Sequence, residues 1–213
     1  LIGNNVKVLI NDIDKIKWKQ DIQNDIEKLE ELLEYSIQVD NNRDKKLQTL
    51  KQTIESKIKN PLNGENKKVI IFTAFADTAQ YLYDNISLWA KNLGVESCLI
   101  TGSGINQSTL FPKERDLNTL LTHFSPISKD RAKIDSTQSK ELDILIATDC
   151  ISEGQNLQDC DFLINYDIHW NPVRIIQRFG RVDRLGSKNK YIQLVNFWAN
   201  MELDEYINLE SRV

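Results

Sequence analysis

Through the first quarter of the chain, apolar residues recur at spacings of mostly three and four. Ile13, Ile16, Ile22, Ile26, Leu29, Leu32 and Leu33 mark one face of a helix predicted over residues 12–38. A polar break at Asp40-Asn41-Asn42 separates a second helix carrying Leu47, Leu50, Ile54 and Ile58. It ends near Asn60-Pro61, because the residue before a proline is pushed out of the helical region.

After Lys67 the texture changes from periodic to continuous. Val69–Thr73, Ser97–Thr101, Asp143–Thr148, Phe162–Tyr166 and Ile192–Phe197 are short runs of mainly apolar residues. Helical patterns lie between them, one with Ala79, Leu82, Ile86 and Trp89, one from Leu110 to Phe124 and one over residues 172–184. Strands that read as apolar on both faces and alternate with helices predict an α/β fold, a parallel doubly wound sheet. Ligands of such sheets sit beyond the carboxyl ends of the strands. The loops after Thr73, Thr101, Thr148, Asp167 and Phe197 are therefore the places to search.

Composition narrows the classes without choosing one. The 213 residues are 40% hydrophobic and 27% charged, with a formal net charge of −4. That excludes a strongly basic coat protein and a highly charged disordered chain. No run of 18 or more apolar residues occurs, so no membrane-spanning helix is expected. Cys98, Cys150 and Cys160 form no CxxC pair, which predicts reduced core thiols and a cytoplasmic protein. His123 and His169 are the only histidines and lack ligand spacing, so no metal site is expected. The chain begins at Leu1 rather than Met, which predicts a piece of something longer.

One number changes the picture. Of eight arginines among 27 basic residues, four fall between Arg174 and Arg184. On a continuous helix Arg174, Arg178, Arg181 and Arg184 would form one stripe, with Ile175, Ile176, Phe179 and Val182 packing elsewhere. Such a stripe suits a polyphosphate; a solvated basic face fits the spacing equally well. A second segment, Ala147 to Gln158, runs from a buried strand into small polar residues and Gly154, which suits close approach of a phosphate or ribose. An ordinary strand-to-helix loop would look the same. No glycine is followed by lysine, and Gly102-Ser103-Gly104 does not extend to GxGxxG because position 107 is Gln. Arginines for phosphates without a loop to cradle them are half of a site.

These segments resemble the second RecA-like domain of superfamily-2 helicases and translocases, in the Swi/Snf-like branch that includes bacterial RapA. Lys68–Phe75 resembles motif IV, Ile146–Leu157 motif V, and Gln177–Arg184 the QRxGRxxR of motif VI, followed by Leu185-Gly186. Arg43–Leu50 resembles the helix that enters this domain. The resemblance covers residues 43–213. It implies a helicase C-terminal domain over 61–213, preceded by a helical lead-in or brace over 1–60.

The resemblance also implies roles. Arg181 and Arg184 fall on the arginine-finger positions that complete a site for ATP and Mg²⁺, both held mainly by an N-terminal RecA-like domain of the same full-length chain. Gln177, Arg178 and Gly180 belong with packing and coupling at that cleft; Glu153 and Gly154 lie where motif V senses the nucleotide, with Asn156 toward the ribose. Thr73, Phe75, Gly102 and Thr148 lie where such domains grip a nucleic-acid strand by its phosphates, and Arg115 stands in a degenerate version of a further contact motif. Glu153 replaces the arginine of many strand-separating relatives. The expected partner is duplex DNA, and the expected activity is ATP hydrolysis by the intact motor, with no hydrolysis by this chain alone. The rival reading is a non-catalytic RecA-like module that binds nucleic acid or protein. A free-standing flavodoxin-type domain has no phosphate loop to support it.

Overall fold

The computed structural model describes residues 9, 13–40, 43–102, 104, 106–113, 116–134, 139–151, 154–168 and 171–198. The chain divides into two compact units, Leu1–Gln48 and Thr49–Val213.

In the first unit Asp14 caps helix α1 (Lys15–Ile37), accepting from the N–H groups of Ile16 and Lys17. Such a cap satisfies donors that the first helical turn leaves open. None of the 23 residues of α1 is buried. Helix α2 (Lys45–Lys59) crosses the division between the units. Its Leu50, Ile54 and Ile58 are buried at helical spacing.

The second unit is built on one six-stranded sheet. Its strands are β1 (Val69–Phe72), β2 (Ser97–Ile100), β3 (Gln107–Ser108), β4 (Ile144–Ala147), β5 (Phe162–Asn165) and β6 (Gln193–Asn196), in the order β3-β2-β4-β1-β5-β6. All neighbours are parallel except β3, which runs antiparallel to β2. Every residue of β1, β2, β4 and β5 is buried, as expected for parallel strands covered on both faces. Side chains alternate between those faces. Ile70, Phe72, Leu145 and Leu163 join a core with Leu120, Leu121 and Phe124 of α4 (Leu117–Phe124) and with Val182. Helix α3 (Ala76–Asn92) packs on β2 and β4 through a row that includes Ala79, Leu82, Ile86 and Ala90.

Three expectations are corrected. The helix expected from Leu110 begins only at Leu117, behind the cap Asp116. Before it, the Ser108 hydroxyl accepts from the N–H groups of Leu110 and Phe111, a local turn that competes with helix. The same stretch supplies β3, whose two polar residues carry no strand pattern. Beyond α4, Arg131–Ile134 form the short helix α5. The helix expected over 172–184 is α6, Pro172–Phe179. Finally, β6 is partly exposed rather than buried on both faces. Cys98 and Cys160 are buried and Cys150 half-buried; burial pushes the Cys160 thiol up to about 12.

Candidate nucleotide and nucleic-acid site

Strand register sets the carboxyl edge of the sheet. Ile100 pairs with Ala147, Ala147 with Phe72, Phe72 with Asn165, and Asn165 with Asn196. The next residue of each strand therefore stands in one row. Backbone bonds from Thr148 to Ile100, from Thr73 to Ala147 and from Tyr166 to Phe72 continue the ladder by one step. Thr73 and Thr148 are both buried in this row. The Thr73 hydroxyl donates to the Asp167 carboxylate and accepts from Phe75 N–H at 3.4 Å. Phe75 itself is 66% exposed. Gly102 lies at the same edge, where an added Cβ would stand 2.9 Å from Cys150 Cβ. Only glycine lets the loop after β2 lie so close to the loop after β4. Thr73, Thr148, Gly102 and Phe75 thus stand along one edge. Arg115 lies outside the described residues.

The arginines are not one stripe. Asn171 caps α6 by accepting from Val173 N–H, Pro172 fits the first helical position, and the helix ends on Gly180. Arg181, Val182 and Asp183 then follow in tight turns, their N–H groups reaching Arg178 and Phe179 carbonyls. Arg174 and Arg184 are exposed, whereas Arg178 and Arg181 are buried. Ile175 is 3% exposed as expected, but its neighbour Ile176 is 68% exposed and does not pack on the sheet.

Arg178 is the reason the stripe fails. Its Nε and Nη2 donate to the two carboxylate oxygens of Asp149 at 2.7 and 2.8 Å. Its Nη1 donates to Asn165 Oδ1 at 2.9 Å and to the Asp167 carbonyl at 3.4 Å. The guanidinium also lies over Phe72, 5.1 Å from the ring centre. A bidentate fork of this kind fills the donors of a buried guanidinium and fixes its orientation. Arg178 therefore braces the site from inside and does not face a phosphate.

Arg181 and Arg184 do share a cavity. Gly154, Gln177, Gly180, Arg181 and Arg184 line a space of about 270 Å³. Arg184 Nε donates to the Gly180 carbonyl at 3.1 Å and Nη1 to the Gly154 carbonyl at 3.5 Å. Leu157 N–H donates to the Arg181 carbonyl at 3.1 Å, tying the loop after β4 to the turn after α6. Gly154 has φ 91°, a backbone conformation that side-chain-bearing residues rarely adopt. Two residues on, Asn156 Oδ1 is buried and meets no donor among the described residues. Beside the loop, burial pushes the Lys129 ammonium below the usual lysine range, and Lys129 donates to Gln155 Oε1 at 2.6 Å. The exposed Arg184 and the nearly fully buried Arg181 line this cavity, and guanidinium is the group suited to a polyphosphate. Glu153 lies outside the described residues. Among the described residues no group of three or more His, Cys, Asp and Glu is placed to hold a metal ion.

Sequence reasoning marked the loops after Thr148 and Asp167 but gave Asp149, Asn165 and Asp167 no role. Their signal was an acid or amide at or just past the end of a buried strand. The family of helicase conserved C-terminal domains matches residues 45–186. The chain belongs to this helicase C-terminal domain family. Among its relatives, a probable ATP-dependent RNA helicase, ddx51 of Dictyostelium discoideum, is 30% identical over 175 residues, 82% of this chain and 27% of its own length. An uncharacterized ATP-dependent helicase of Bacillus subtilis, YqhH, is 42% identical over 67 residues, 32% of this chain and 12% of its own. The chain thus spans well under a third of these helicases. The C-terminal part of the Fun30 ATPase domain superposes with a TM-score of 0.54 at 20% identity, over 82% of this chain and 48% of that one. The Pyrococcus furiosus Hef helicase domain gives 0.50 at 21%, over 85% and 30%. The fold of this helicase C-terminal domain is therefore the RecA-like one. No helix among its described residues is long and apolar enough to cross a membrane.

Proposed function

We propose that the chain is the C-terminal half of an ATP-dependent motor, of the Swi/Snf-like branch, that tracks duplex DNA in the cytoplasm. Residues 61–213 serve as the motor domain and the helical segment before them as its lead-in. The observation that carries this reading is the cavity where Arg181 and Arg184 meet Gly154, Gln177 and Gly180.

ATP, with Mg²⁺, is held mainly by an N-terminal RecA-like domain of the same protein. Bound there, it supplies the phosphoanhydride that is hydrolysed. This chain brings Arg181 and Arg184 to the phosphates from the opposite wall, where guanidinium charge stabilises the transferring phosphoryl group. Gln177 and Gly180 shape that wall, Glu153 and Gly154 belong to the nucleotide-facing loop, and Asn156 lies toward the ribose. The row of Thr73, Gly102 and Thr148, with Phe75 and Arg115, follows the phosphates of one strand. Phosphate contacts position a strand without reading its sequence.

The 30% identity to an RNA helicase favours a second substrate reading, RNA in place of DNA. ATP turnover of the intact protein with duplex DNA, single-stranded DNA or RNA decides between them: duplex DNA is expected to stimulate most, and stimulation by RNA alone overturns the DNA reading. The 213-residue chain by itself is expected to hydrolyse no ATP. Robust hydrolysis by the purified chain would sink the shared-site reading, and an intact protein lacking ATPase altogether would favour a non-catalytic binding module.

A further inference from the structure

The longest helix among the described residues, α1, has no buried residue. Its apolar side chains are nevertheless ordered. Trp18, Ile22, Ile26, Leu29, Leu33 and Ile37 follow at intervals of four, four, three, four and four. At 3.6 residues per turn they fall within an arc of about 100°, the width of a face that packs on a neighbour. They run for about 30 Å along the helix axis. Each is 42–73% exposed, so they form a continuous apolar row and not single surface residues.

The intervals read the same in both directions. A two-fold axis through the Ile26–Leu29 step sets Ile26 against Leu29, Ile22 against Leu33 and Trp18 against Ile37 of an identical helix running the other way. An isologous contact has this reciprocity, whereas a helix of another protein requires no such symmetry in this one. Charge has the matching polarity. Residues 15–20 hold Lys15, Lys17 and Lys19 and no acid, and residues 27–34 hold four glutamates and one lysine. Beyond the cap Asp14, no acid stands in the first turn and no base in the last. These charges oppose the helix dipole and weaken a helix that stands alone. A parallel copy would set like ends together. An antiparallel copy sets the lysines of each helix beside the glutamates of the other, and the positive end of each dipole beside a negative one.

We propose that α1 is a self-association surface that pairs, antiparallel, with α1 of a second copy of this chain. Sedimentation equilibrium of the intact protein tests the pairing, with thermal melting as the control for folding. The wild type is expected to be a dimer at micromolar concentration. Ile26→Lys with Leu29→Lys gathers four lysines at the two-fold axis and should raise the dimer dissociation constant at least about tenfold, with cooperative melting retained. Two charge-swapped chains keep the apolar row: Lys15→Glu with Lys17→Glu and Lys19→Glu, and Glu30→Lys with Glu31→Lys and Glu34→Lys. Each alone should dimerise more weakly than wild type, and an equimolar mixture should recover the dimer. Oxidation of mixed Ile22→Cys and Leu33→Cys chains should give a disulfide-linked dimer that neither gives alone. A monomeric wild type, or a dimer that the paired lysines leave as tight, overturns the proposal. A charge-swapped mixture that stays monomeric does the same, even where the lysine variant does not fold. Cross-linking of Ile22→Cys to its own copy marks a parallel pair and also overturns it.

Discussion

The two ends of the same sheet are both rich in buried polar groups, yet they are wired differently. At the amino end, Lys57 and Asp161 form an ion pair at 2.7 Å with neither side chain exposed. Asn63 donates to Asp161 and to the Tyr191 carbonyl, and accepts from the N–H groups of Lys190 and Tyr191. Asn66 and Asn189 clamp each other and the carbonyls before β5. These bonds close on loops and helix ends, and they strap the segment after motif VI to the start of the sheet. At the carboxyl end the network runs from Thr73 through Asp167, Arg178 and Asp149 and opens at Gly180 onto a cavity with Arg181 and Arg184. The larger cavity, about 450 Å³ beside Asn63, Asn66 and Lys68, is at the amino end. Neither volume nor buried polarity marks the site. What marks it is a braced network that ends on guanidinium groups with room in front of them.

The largest expected effect separates the ends by activity. Arg184→Ala in the intact protein should lower ATP turnover by about 10³–10⁵, the usual cost of losing an arginine finger, with melting unchanged because Arg184 is exposed. The converse is expected at the amino end. Lys57→Met leaves Asp161 as a buried charge without its cation, and should cost about 3–5 kcal/mol of stability, read by denaturant unfolding. Turnover per folded molecule should stay near wild type. A loss of turnover there without a loss of stability would erase the distinction between the ends. The smallest effect belongs to a cap outside both networks. Hydrogen bonds from the Thr119 hydroxyl and N–H hold the Asp116 carboxyl below the usual carboxylate range. A carboxyl depressed in the folded state stabilises above its unfolded pKa and loses that contribution as the pH falls through its folded pKa. Asp116→Ala should therefore cost about 1 kcal/mol at neutral pH, and the difference from wild type should shrink below about pH 4.

Much of the fold was legible because parallel strands buried on both faces leave unbroken apolar runs. Val69–Phe72, Ile144–Ala147 and Phe162–Asn165 all read this way. The two-residue β3 has no such run, and the helix expected from Leu110 starts only at Leu117 because the Ser108 hydroxyl holds the N–H groups of Leu110 and Phe111 in a turn. The cavity residues Gly154, Gln177, Gly180, Arg181 and Arg184 were all legible through motifs V and VI. Their arrangement was not. The arginine spacing continues a helical period past Gly180, where the chain has already turned. Nothing local says that Arg178 points inward, because the cause is Asp149, 29 positions away in sequence. Ile175 and Ile176 differ twentyfold in exposure for the same reason: only the neighbours decide which is buried.

The central claim is that position at the cavity, and not positive charge on this segment, makes Arg184 a finger. Arg174 on α6 is an exposed arginine that does not line the cavity. Steady-state ATP turnover of the intact protein, with saturating nucleic acid, should be compared for Arg174→Ala and Arg184→Ala. Turnover within about threefold of wild type for the first, and reduced about 10³-fold or more for the second, is the predicted result. Equal losses, or wild-type turnover in Arg184→Ala, would contradict it.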